Sequence, residues 1–179
     1  MRYNRLYKDN NFLTPTTYTQ ELSEYAEQLK YEDLPAEVVE RAKMILLQTV
    51  GVALAAKGTP IAEKVTRMAK EANGGVGGGT TVWGSGEKLA AVNAALALGT
   101  TSDALDWEDC SWTGHPSAGI IPCAWLAAEE KHKSGKDLIT AIVAGYEVYQ
   151  RIAMAVQPSD QFWVDRGWGL TSWQIFGCI

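Results

Sequence analysis

The residue pattern predicts an all-α protein, a multi-helix bundle with at most one short extended segment. Three observations carry this. Every long apolar segment repeats at three- and four-residue spacing, the period of a helix face. Prolines and capping side chains stand at the breaks between those segments. No run alternates apolar and polar residues long enough to make a half-buried strand.

Residues 1–15 are polar and read as an N-terminal arm; residues 16–179 read as the helical unit. Thr16 or Thr17 caps a first helix reaching Lys30, with Leu22, Tyr25, Ala26 and Leu29 on one face. Tyr31–Pro35 is a break, and Pro35 suits the first turn of a second helix. Val38, Ala42, Ile45, Leu46, Thr49, Val52, Ala53 and Ala56 keep helical spacing until Gly58 stops it. A third helix runs from Pro60 to Asn73 with the stripe Ile61, Val65, Met68 and Ala69.

Gly74–Gly79 invites a phosphate-loop reading. It lacks the GxGxxG register and the Gly-Lys-Ser/Thr ending, and a helix stands where a strand is required. It is read as a linker. Thr80–Gly86 supplies the one extended piece, with no evident partner strand. Glu87–Ser102 returns to helix, and its alanines let a neighbour approach closely. Either Ser117 caps the next helix, reaching Lys133, or Pro122 marks its first turn. Ser134-Gly-Lys is a turn, and Asp137–Val156 is a helix buried on more than one side. Pro158–Asp160 is a break, and Thr171 opens a last apolar run. That run reaches Ile179 without a polar tail, so the chain is expected to stop inside a helix and to self-associate through this end.

A net charge of −5 gives no basic footprint for nucleic acid. No apolar run reaches membrane-spanning length, and the N-terminus lacks the apolar core of a secretory signal. Three cysteines without CxxC spacing fit a reducing compartment, read as the cytoplasm, and fit neither a disulfide framework nor a zinc site.

The chemistry is concentrated between Asp103 and Pro122. This segment holds four carboxylates, two indoles, a thiol and one of only two histidines. Asp106 and Asp109, with Glu108 between them, resemble half a divalent-metal site, but one Asp-x-x-Asp reads more simply as a solvated turn or cap. No metal is expected. His132 lies in Glu-Lys-His-Lys and reads as surface. His115 precedes a helix start, where amides favour an anion. It suits a neutral acid/base or a carboxylate binder, or it only hydrogen-bonds the acidic loop and orders it. Cys110 beside Asp109 sits in a negative field that disfavours a nucleophilic thiolate. Trp107 and Trp112 read as packing anchors.

These residues also carry a resemblance. Tyr31-Glu-Asp-Leu-Pro-Ala-Glu, Leu47-Gln-Thr-Val-Gly-Val-Ala, Thr81-Val-Trp-Gly-Ser-Gly-Glu-Lys-Leu, Ala104-Leu-Asp-Trp-Glu-Asp, His115-Pro-Ser and Gly145-Tyr-Glu-Val-Tyr-Gln-Arg follow one another as in the MmgE/PrpD family of 2-methylcitrate dehydratases, cis-aconitate decarboxylases and iminodisuccinate epimerases. The chain resembles the N-terminal part of that family's helical domain. The resemblance implies a separate lid domain absent from these residues and a homodimer. It implies proton abstraction next to a carboxylate of a small di- or tricarboxylate, leading to dehydration, decarboxylation or epimerisation without metal or organic cofactor. It places the catalytic aspartate at Asp106 and the signature histidine at His115, with Asp109, Cys110 and Ser117 as substrate-binding candidates. Asp103 stands where the family often has His, Cys110 where it often has Thr or Val, and Gly169 where its Gly-Phe-His-Pro-Thr motif has His. A catalytically inactive helical dimerisation or scaffold fragment is the alternative reading.

Overall fold

The computed structural model describes residues 17–111, 114–156, 165, 167 and 172–178. The N-terminal arm, Trp112, the break at Pro158–Asp160, and Gly169 and Thr171 of the last motif lie outside them. Six α-helices make up most of the described chain: α1 Tyr18–Gln28, α2 Ala36–Ala55, α3 Pro60–Ala72, α4 Ala91–Asp103, α5 Ser117–Glu130 and α6 Gly135–Val156. The all-α prediction holds.

Local chemistry sets the helix starts. Thr17 and Gln20 form a reciprocal capping box at α1. Pro35 is the cap residue of α2, and Pro60 follows the Thr59 cap as the first residue of α3. Ser134 and Asp137 cap α6 through each other's amides, so the expected turn there is the cap and the helix opens at Gly135. Pro122 lies inside α5, which starts at Ser117.

The extended piece has a partner after all. Thr80–Thr81 (β1) pairs antiparallel with Lys88–Leu89 (β2), Thr80 opposite Leu89. Thus α4 begins at Ala91 and not at Glu87. The glycine cluster makes this possible. Gly74 and Gly75 adopt positive φ, and a Cβ on Gly78 would fall 1.8 Å from the Leu89 carbonyl carbon.

α4 sits centrally, with α2, α3 and α5 against it. Its Ala94, Ala97 and Leu98 are fully buried with Ala69, Val82, Leu89 and Leu126. The expected close approach is seen at its small residues: Ala94 and Ala97 are fully buried, and the Ala118 carbonyl of α5 lies within van der Waals reach of Gly99. A second cluster joins Val39 and Ala42 of α2 to Ile121, Ile139 and Ile142. A third joins Ile120, Tyr149 and Ala153 to Trp173, which anchors the last segment. That segment forms a single 3-10 turn, Gln174–Gly177, where a longer helix was expected.

One expected core face differs. In α3 the buried line is Ala62, Val65 and Ala69, and Ile61 and Met68 stay open. Met44, Leu47 and Leu54 form an exposed apolar row on α2. No single helix among the described residues is long and apolar enough to cross a membrane.

Candidate active site

The acidic loop joins the end of α4 to the start of α5. Asp106 turns the chain at φ 54°, a left-handed conformation that aspartate tolerates better than most residues. The side chains after the turn part company. Asp106 and Trp107 face solvent, Glu108 faces inward, and Asp109 reaches toward α5 and α6. Trp107 is therefore no packing anchor; it is 71% exposed, and its carbonyl accepts a hydrogen bond from Gln48 Nε2 of α2 at 2.9 Å.

Asp109 is the tie of the loop. Its Oδ1 accepts the Ser117 amide at 3.0 Å, and its Oδ2 accepts the Tyr146 hydroxyl at 2.8 Å. A carboxylate there satisfies a free amide of the first turn and meets the positive end of α5. Burial pushes the Tyr146 phenol far above its ordinary range, and the Asp109 charge adds to this, so Tyr146 stays a donor. Ser117 is buried and contributes its amide, with its hydroxyl beside that of Tyr146. Cys110 is exposed, its thiol near the Ser111 carbonyl at 3.4 Å. Ser111 pairs with Gly114 across the loop mouth.

His115 enters two residues before α5, and its carbonyl is held by Gln174 Nε2 from the last segment. Its Nδ1 lies 4.0 Å from Asp106 Oδ1, so the two predicted catalytic residues do meet. They meet on an open rim and not in an enclosed cavity: the Asp106 side chain is 86% exposed and that of His115 23%. Two clefts lie elsewhere and share Tyr31, Glu32 and Lys136, one between α2 and the start of α6, the other between α1, α5 and α6.

The sequence reading passed over Glu108. Its side chain is fully buried, with Oε1 2.8 Å from His115 Nδ1. Burial raises its carboxyl above the ordinary range; the neighbouring Asp103 carboxylate adds to this, and His115 opposes it. Ligand atoms of Asp103, Glu108 and His115 lie within 4.8 Å of one another. Such a trio suits either a carboxylate–imidazole pair or a divalent cation. One signal in the sequence points to the pairing. His115 is the only side chain between Lys88 and Lys131 able to carry positive charge.

The MmgE/PrpD N-terminal domain matches over residues 20–172. The chain belongs to the MmgE/PrpD family. It is similar to a cis-aconitate decarboxylase of Aspergillus terreus, 29% identical over 157 residues, which cover 84% of this chain and 31% of that protein. A cis-aconitate decarboxylase-like protein, oryM, of Aspergillus oryzae is 28% identical over 89% of this chain and 34% of its own length. The cis-aconitate decarboxylase of Mus musculus is 30% identical over 69% of this chain and 26% of its own length. The chain thus spans about a third of the length of the curated relatives it matches.

Proposed function

We propose that these residues form part of a lyase or isomerase that removes a proton next to a carboxylate of a small di- or tricarboxylate. The meeting of Asp106 with His115, 4.0 Å apart on the rim where α5 begins, carries this reading. Carbanion formation beside a carboxylate needs a base within hydrogen-bond reach and donors for the enediolate charge. Asp106, open to its surroundings, takes the proton or orients the substrate. His115 binds a substrate carboxylate or returns the proton. Exposed Cys110 contacts the substrate in this reading, while Asp109 and Ser117 contribute by holding the loop in shape. Membership of the family and the similarity to cis-aconitate decarboxylases support the substrate class.

The reaction needs no metal or organic cofactor in this proposal, and it takes place in the cytoplasm. The working form is a homodimer whose remaining sequence supplies a lid domain. The exposed row Met44, Leu47 and Leu54 supports a partner surface on α2.

The test is an activity screen of the gene product in full on citrate, methylcitrate, cis-aconitate and iminodisuccinate. Asp106→Asn and His115→Ala should each lower turnover by ~10²-fold or more, with little change in melting temperature. Loss of stability with turnover per folded molecule intact would make both residues structural, as a scaffold fragment requires.

A further inference from the structure

One buried carboxylate of the loop has no part in the proposed reaction. Glu108 is fully enclosed, and neither of its oxygens has a well-aligned hydrogen bond among the described residues. A buried carboxylate without good partners is costly, and that cost points to a use for it.

We propose that Glu108 is the positioning residue of His115, holding the imidazole as its Nδ1–H tautomer so that Nε2 is the nitrogen left for substrate. The inference rests on the reading of His115 as a substrate-facing group. Three observations carry it.

The first is competition. Two carboxylates approach Nδ1, Glu108 at 2.8 Å and Asp106 at 4.0 Å. Asp106 is 86% exposed and screened by water, whereas Glu108 is not exposed at all. Taking a water-like dielectric for one and a protein-like dielectric for the other, Glu108 holds the ring roughly six times more strongly.

The second is rigidity. Both backbones are pinned. Gln48 fixes the Trp107 carbonyl on one side of Glu108, and Asp109 is tied to Ser117 and Tyr146 on the other. Gln174 holds the His115 carbonyl. A pair mounted this way keeps its separation without further contacts.

The third is chemistry. A histidine that shuttles protons through one nitrogen needs the other fixed as a donor, and a buried carboxylate facing that nitrogen is how this is done. The pair is close but imperfectly aligned. Catalytic hydrogen bonds often tighten only when substrate fills the site. Asp103, at the end of α4, lies within the same cluster and raises the basicity of Glu108.

The test reads the tautomer directly, without substrate. The ring nitrogens of His115 and His132 are resolved by long-range 15N–1H correlation NMR on this chain at a pH of about 8.5, where imidazoles are neutral, with EDTA present. Exposed His132 serves as the reference for an unconstrained ring. The wild type should show His115 mainly as Nδ1–H, against the reference. Glu108→Gln should shift that ratio several-fold toward the form of His132. A His115 ring that matches His132 in the wild type, or a ratio unchanged by Glu108→Gln, overturns the proposal. So does a His115 Nδ1 signal that appears as protonated only after EDTA is added, since a cation would then hold the ring. Should Glu108→Gln fail to fold, the wild-type spectrum decides, with Glu108→Asp as the charged variant expected to keep the Nδ1–H form. An inactive gene product with a locked tautomer would sink the proposed reaction and leave the positioning intact; an active one with a free tautomer would do the reverse.

Discussion

Glu129 offers the sharpest stability prediction. It projects from α5 onto the β-hairpin. Its carboxylate accepts the Thr81 amide at 2.9 Å, the Thr81 hydroxyl and the Trp125 indole at 3.2 Å, and it pairs with Lys88 Nζ at 3.2 Å. Burial by itself would raise its carboxyl, but the Thr81 and Lys88 contacts outweigh this and hold it at about 2. The folded value lies below the unfolded one, so the contribution is complete well above the ordinary glutamate range and is lost as pH falls through that range toward 2. The shift corresponds to about 3 kcal/mol at neutral pH. A quarter of the side chain is open to solvent, and screening reduces this to about 2 kcal/mol. Glu129→Gln should therefore cost about 2 kcal/mol at pH 7 and less than half of that at pH 3. Urea unfolding of both proteins at the two pH values measures it. An equal cost at both, or none at pH 7, refutes the account of the hairpin anchor.

Two further outcomes follow from packing near the site. A Cβ at Gly145 would lie 2.5 Å from the Gly177 carbonyl oxygen and 2.8 Å from Ile120 Cγ2. Gly145→Ala should destabilise by ~1–3 kcal/mol despite the better helix propensity of alanine, and thermal unfolding that shows a gain would contradict the contact. Tyr146→Phe removes one of the two donors to Asp109 and should cost ~1–3 kcal/mol in denaturant unfolding, with the deficit largely absent when Asp109 is already Asn.

The helices were legible because their signals are local. Thr17 with Gln20, Pro35, and Thr59 with Pro60 act within one turn, and the α2 face survives as a buried line through Ala42, Thr49, Val52 and Ala53. The second strand was not, since two residues cannot display an alternation and its pairing depends on a glycine turn. The Asp106–His115 meeting was legible from two helix ends flanking one loop. Glu108 was not: an acidic residue in an acidic run reads as solvated, whereas here it follows a left-handed turn at Asp106 and is enclosed. The capping of α5 was missed for the same kind of reason. The carboxylate comes from Asp109, eight residues ahead of the amide it accepts, and no short-range motif announces that.

The double grip of Asp109 has a kinetic side. One carboxylate fastens the loop to the start of α5 and to the middle of α6, which ties the Asp109 end of the loop to both helices. Such a mount gives up flap-like freedom. In the proposed reaction, a substrate arriving at this rim would find Asp106 and His115 already in place, and any movement that seals it from water would be made by another segment swinging down upon a fixed floor. The slow step of a turnover cycle built on this floor would then be set by the hinge of that other segment, and changes within the loop would alter the chemistry far more than the opening and closing.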